Sequence, residues 1–317
     1  MSSETSGMLR PRVLIPFMVT GTIWGSTWFV ITGQIGDVPA AWSVFYRFLI
    51  ATPAMFLLAW AMKRSLRLDR AGHRLAMAVG ALQFCGNFMF VYHSELHLTS
   101  GIVAVMFALL MVPNAVLAKF IIGEKIETGF MVGSAVAIMG VTMLLVHEAR
   151  LSPLGGDVGL GIWLTIGGIM CAAIANVVQA NDVGRRIAMV SLLAWSMLYG
   201  LGVDLVYAMV SVGPSPLPST AAFWGGTIYL AVIGSIVTFP LHYNLVREIG
   251  AGRTAYNAIV TVAVAMLLST LFEDYQWTAL AAGGMALALL GMVIALRSRM
   301  IKSVKVGQAT ALRHEID

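Results

Sequence analysis

Charge is what this sequence has least of. Only 11% of its 317 residues are Asp, Glu, Lys or Arg, against about 25% in soluble domains. Apolar residues make up 59% of the chain and its mean hydropathy is +0.85, so the solvent it is built for is a bilayer. Cysteine is scarcer still. Cys85 and Cys171 both fall inside apolar runs, which leaves neither a disulfide framework nor a zinc cluster; they read as packing atoms. The chain also lacks H-E-x-x-H, G-x-S-x-G and paired aspartates within its apolar runs. With no nucleophile and base to work with, a membrane enzyme is a poor reading, and no cofactor is called for. No cleavable leader is expected. Residues 1–12 are polar and end in Arg10 and Arg12, and the apolar run behind them is too long for a signal-peptide core, so it is expected to be retained as a first span.

What is present is a repeat. His93, Gly101 and Glu124 recur 149 residues later as His242, Gly250 and Glu273, with Val262 in the place of Pro113. A second match occurs at an offset of 151, where Gly133-Ser-Ala-Val-Ala-Ile-Met-Gly140 answers Gly284-Met-Ala-Leu-Ala-Leu-Leu-Gly291. Self-similarity at a long fixed period describes a whole architecture. Here it indicates duplication, with two residues inserted in a loop.

A hydrocarbon core needs about 20 apolar residues per helix. By that ruler there are ten spans, at about 13–33, 40–62, 75–93, 100–122, 128–146, 158–180, 187–211, 222–246, 254–271 and 276–296. Runs this long and unalternating argue against a barrel. If both termini are cytoplasmic, 18 of the 20 lysines and arginines lie on the inner side, Arg150 lies outside and Arg47 lies within a span. That asymmetry predicts both termini inside. The basic residues then mark topology, so the tail from Arg297 to Lys305 is not read as a nucleic-acid site. Five spans per half is an odd number, so the second half enters the membrane from the opposite side. The expected fold is an all-α integral membrane protein of ten transmembrane helices, arranged as two inverted five-helix repeats over 13–146 and 158–296. In such pairs the substrate site lies near the midplane, between the halves.

Trp24-Gly25 in the first span, Arg47-Phe48 with Ala51 in the second, Pro113 with Gly123-Glu124 closing the fourth, and the glycine-spaced fifth and tenth spans resemble the EamA repeat of the drug/metabolite transporter superfamily. The resemblance covers nearly the whole chain as two units. It implies carriage of amino acids or similar metabolites, or of organic-cation drugs. The family often has proline where this chain has Val262, which predicts a ninth helix straighter than the fourth.

Polar groups inside hydrocarbon are costly and mark function or a specific contact. Trp24 and Trp28, at i and i+4 in the first span, are too deep for an interfacial belt, and form either an aromatic platform for a flat or cationic ligand or helix packing. Asn176 and Gln179 share a face of the sixth span, and Asn87, Asn114, Tyr256 and Asn257 complete the candidate substrate-binding set. Their alternative is bonding between helices. His93 and His242, equivalent in the two copies, are candidates for gating or proton coupling, or plain interfacial histidines. Pro113 is a candidate hinge. Pro240 likewise interrupts a span, the eighth. His93-Ser-Glu95-Leu-His97 has a ligand-like spacing but no further ligands in sequence, so no metal is expected. Arg47 and Asp204 each lie about 10 Å below the outer ends of their helices. A structural ion pair is the preferred reading, with Arg47 facing the cavity toward a carboxylate substrate as the alternative.

The sequence therefore predicts a secondary transporter for a small organic solute in the inner membrane. Its partners are that solute, lipid and, through the histidines, a coupling proton. Few acids lie within the spans, which leaves facilitated diffusion open. A membrane scaffold or sensor without transport is the rival.

Overall fold

The computed structural model describes residues 10–314 apart from 37, 124, 152–155, 216 and 250; Glu124 and Gly250 therefore lie outside the described residues. No strand occurs among the described residues. Backbone groups inside a bilayer must bond within their own segment, and the helix is the way one open segment does so. Ten helical spans run in order: α1 (Pro11–Thr32), α2 (Ala40–Ala61), α3 (Arg70–Ser94), α4 (Ser100–Ala108, then Met111–Ile122) and α5 (Thr128–Leu151). The second five are α6 (Val158–Gln179), α7 (Met189–Ser211), α8 (221–249), α9 (Asn257–Phe272) and α10 (Ala279–His314). Nine of these are long and apolar enough to cross a membrane, and α9, at 16 residues, is shorter but equally apolar. A short helix, Ala251–Thr254, leads into it.

Local chemistry sets the ends. Asp69, Asp157 and Thr220 cap α3, α6 and α8 by accepting N–H groups of the first turn. Gly123 ends α4 at a φ of +79°, a left-handed conformation that glycine adopts without penalty. The Asp69 cap starts α3 at Arg70, earlier than the hydropathy pattern predicts, because its first turn carries Arg70, His73 and Arg74 at the interface.

Two irregularities recur in the second half. Both α3 and α8 contain a π-helical stretch, Gly80–Gly86 and Tyr229–Val237, whose starts are 149 residues apart. In α4 the helix breaks at Leu109 and Leu110, and the chain breaks again at Ala255 and Tyr256 before α9. The α9 helix runs uninterrupted through Val262, as the missing proline predicts, but its hinge is displaced upstream and is made without proline. Nor does Pro113 cause the break in α4. It occupies the first turn of the second segment, where its absent N–H has no partner to lose.

Close packing depends on glycine in α5 and α10. A Cβ at Gly133 would lie 2.3 Å from the Ala295 amide nitrogen, and one at Gly140 would lie 2.3 Å from that of Ala288. Reciprocally, Gly291 meets Gly133 and Ala137, and Gly284 meets Gly140. Rising numbers in one helix meet falling numbers in the other, so α5 and α10 are antiparallel. The same holds for α2 and α7, where the Trp42 indole donates to the Gly213 carbonyl at one end and the Trp195 indole to that of Leu66 at the other. By contrast α1 and α9 run parallel, Gly21 against Val260 and Gly25 against Val264. Helix α1 thus packs on α9, and α6 packs on α4.

Candidate functional site

A cavity of about 520 Å³ opens among α1, α2, α3, α4, α6, α8 and α9, a volume suited to a small organic molecule. Its walls are mostly apolar and carry several aromatic rings. Trp24 and Trp28 both line it, as the i, i+4 spacing on α1 predicts. The Trp24 ring lies 4.8 Å from the His242 ring and 6.1 Å from that of Phe239. Its Nε1 donates to the Gly234 carbonyl at 3.3 Å. That carbonyl belongs to the π-helical stretch of α8, where the helical ladder is re-registered at the cavity wall. Trp28 leans on Phe107 at 5.0 Å.

The amides divide into two groups. Asn87, Asn114 and Asn257 line the cavity. Asn257 also ties α9 to α1, its Nδ2 donating to the Phe17 carbonyl and to Thr20 Oγ1, while its Oδ1 has no protein partner. Asn176 and Gln179 do not reach the cavity wall. They stand behind Asn114 in a relay, Gln179 donating to Asn176 at 3.2 Å and Asn176 to Asn114 at 3.5 Å. Tyr256 is half-buried at the α9 hinge, beside the lining residues Ala255 and Asn257 but not among them.

The histidines part company. His242 lines the cavity, and its Nδ1 has no hydrogen bond. His93 turns to its own helix, Nδ1 lying 2.7 Å from the Met89 carbonyl. Equivalent sequence positions therefore do not mean equivalent surroundings. The π-helical stretch is nine residues in α8 and seven in α3, and each π residue advances less around the axis than an α residue, which rotates the rest of the helix beyond it. His97 accepts the Asp157 N–H at 3.2 Å, so the ligand-like spacing of His93, Glu95 and His97 does not converge. Pro113 flanks the cavity between the lining residues Leu110 and Asn114.

The expected ion pair of Arg47 and Asp204 is not formed. Both are buried, yet Asp204 makes no ion pair and has the Cys85 thiol of α3 as its neighbour, while Arg47 has no partner on Nε or Nη1. Arg47 turns instead toward the cavity, with its guanidinium carbon 4.4 Å from the centre of the Phe88 ring. Matching depth put the two charges at one level of the membrane; helix rotation, which depth does not report, keeps them apart.

Two features escaped the sequence reading. Gln34, just past α1, is buried and central to a network: its Nε2 donates to Thr227 Oγ1 at 2.6 Å, its Oε1 accepts from Tyr92 at 3.0 Å, and its carbonyl accepts from Ser43 at 2.9 Å. This closes the bundle at the end holding the 33–39 loop. The second feature is a carboxylate group at the same end. Glu148 accepts from the Thr99 amide and hydroxyl, both at 3.0 Å, and Glu273 from the Ser100 amide and hydroxyl, at 3.3 and 2.7 Å. Both thereby serve the N-terminus of α4, where negative charge is favoured. Glu95, in the turn after α3, is 2% exposed and has no hydrogen bond on either oxygen. Burial and then the neighbouring Glu273 push its carboxyl well above the usual range, with Arg47 pulling the other way. The span count left Glu95, Glu148 and Glu273 just beyond the ends of the third, fifth and ninth spans, with no contact assigned. The clue was Glu148 itself, since α5 continues to Leu151.

Residues 12–146 match the EamA-like transporter family. Among curated proteins the chain is 28% identical over 289 residues to the uncharacterized inner membrane transporter YedA of Escherichia coli strain K12, covering 86% of this chain and 89% of that protein. It is 26% identical over 318 residues to a probable amino-acid metabolite efflux pump of the same strain, covering 96% and 99%. Protein PagO of Salmonella typhimurium is 21% identical over 271 residues, covering 84% and 86%. A solved crystal structure, 17% identical, superimposes with a TM-score of 0.65 over 94% of this chain and 99% of that one, which shows a shared fold. With this cavity in a bundle of ten membrane helices, the chain is similar to the EamA-type transporters of the drug/metabolite transporter superfamily.

Proposed function

We propose that the chain carries a small organic metabolite, an amino acid or a related compound, across the inner membrane by alternating access between two inverted halves, residues 13–146 and 158–296. The observation that carries the reading is the cavity, whose walls come from both halves and whose lining is apolar, with several aromatic rings and a few convergent amides. Inversion is supported by the antiparallel pairings of α5 with α10 and of α2 with α7, since equivalent helices related by an in-plane axis must run oppositely. The parallel pair of α1 with α9 fits the same scheme. The lysine and arginine tally supports cytoplasmic termini, which puts Gln34 and its partners on the outer side as the closed gate. An amino-acid cargo and the direction of export draw support from the relative named as a probable amino-acid metabolite efflux pump.

The test is a thermal-shift screen of the detergent-solubilised protein against amino acids, nucleosides and quaternary amines, then counterflow in liposomes. A cargo stabilises the folded form by mass action and exchanges across the vesicle wall. A scaffold or sensor gives no flux with any solute.

A further inference from the structure

We infer that Arg47 is the anchor for a carboxylate on the transported solute, so that the cargo is a small organic acid or zwitterion with an apolar, ring-sized body rather than an organic cation. This rests on the transport reading above and adds to it the charge the cargo must carry. Arg47 is the one lysine, arginine, aspartate or glutamate among the described residues that line the cavity. Its side chain is 4% exposed, yet Nε and Nη1 make no hydrogen bond. A guanidinium stays charged in a protein and presents its donors as a planar fork that matches a carboxylate. Leaving such a group buried with idle donors is costly.

The acids nearby do not discharge it. Asp204 is out of ion-pair reach, and no salt bridge involving Arg47 occurs among the described residues. Glu95 makes no hydrogen bond, and its environment, dominated by burial and by Glu273, favours the neutral carboxyl. Arg47 therefore meets the cavity without an ion-pair partner and with Nε and Nη1 idle, the Tyr92 hydroxyl being its hydrogen-bonding neighbour. Phe88, 4.4 Å away, and Phe48, at 5.7 Å, fix the guanidinium by ring-face attraction. Just along α3, Gln83 Oε1 and Asn87 Oδ1 are buried acceptors without protein partners, which suits an N–H group carried near the carboxylate. Trp24, Trp28 and Phe107 supply the apolar surface for the body. No carboxylate among the described lining residues would receive a quaternary or primary amine.

The experiment uses four probes of one shape: L-phenylalanine, 3-phenylpropionate, phenylalaninamide and phenethylamine, with sodium chloride as an ionic control. Each is tested for thermal stabilisation of the full-length protein and for competition in liposome counterflow. The two carboxylates are expected to stabilise and compete. The amide, the amine and chloride are expected to do neither at equal concentration. Arg47→Gln is expected to raise the half-saturating concentration of the acids about tenfold or more, with Arg47→Lys recovering part of the loss. Should Arg47→Gln not fold, the probe series on the unaltered protein decides alone. Equal binding of the amine and the acids overturns the proposal while leaving the transport reading intact, as does a folded Arg47→Gln that binds acids normally. So does a screen in which only neutral or cationic solutes act. Absence of any effect from any solute, in either assay, defeats the transport reading and this inference together.

Discussion

Trp24 and Trp28 give the cavity its aromatic wall, and each ring contact is of the kind worth about 0.5–1.5 kcal/mol. Replacing either with alanine is expected to raise the half-saturating solute concentration in counterflow up to about tenfold with little change in thermal stability; unchanged kinetics for both variants would reject the platform. Glu95 makes a different prediction. Its carboxyl is held above the ordinary value of 4.5 in the folded protein, so the folded state binds a proton more tightly than the unfolded one. Its contribution to stability is then full below that ordinary value and is lost as pH rises through the raised one. Glu95→Gln is expected to flatten the decline in thermal midpoint above pH 4.5 and to raise the midpoint at neutral pH, read by thermal shift across a pH series. An unaltered pH profile in that variant rejects the argument. Site residues on α1 were legible because an i, i+4 aromatic pair has only one face. Arg47 was ambiguous for a physical reason: one sequence gives a charge's depth along its helix but not its rotation toward a partner.

At the scale of elements, the glycines of α5 and α10 set how near the helices approach. A Cβ at Gly140 would meet backbone at 2.3 Å, whereas one at Gly283 would meet only the flexible end of Met143 at 3.5 Å. Gly140→Ala is expected to cost about 1–3 kcal/mol through forced separation, and Gly283→Ala, near the same contact, to stay within about 0.5 kcal/mol. Thermal midpoints of the two purified variants compare these directly, and equal midpoints count against the close-packing account. The π-helical stretches of α3 and α8 and the hinge before α9 were not legible. Hydropathy reports that a segment is helical and buried, but a switch from i→i+4 to i→i+5 bonding changes no residue's polarity.

For the molecule as a whole, the arrangement stands on opposed directions of equivalent helices, and topology is its measurable form. In a background where Cys85 and Cys171 are replaced by serine, Ser65→Cys is expected to react only from the cytoplasmic side and Ser219→Cys only from the outside. Both positions are exposed in loops on opposite ends of α7. Labelling of the two from one side in intact cells would overturn the inverted pairing and the placing of Gln34 at the outer gate. With that gate outside, Gln34→Leu removes the hydrogen bonds to Thr227 and Tyr92 and is expected to shift the resting state toward outward access. Faster labelling of a cysteine introduced at cavity residue Ala104 from the outside measures it.

Composition and run length by themselves determined a ten-helix membrane bundle, because a bilayer tolerates few structures, and the 149-residue repeat and the lysine and arginine pattern supply the reading of duplication and orientation. Family resemblance was legible for the same reason, since its motifs sit on the same helical frame. Tertiary structure alone decided which polar groups meet. It separated Arg47 from Asp204, set His242 in the cavity and His93 outside it, and buried Glu95 among carboxylates. Those outcomes depend on helix rotation and on local changes of helical register, which arise only when all ten helices pack at once.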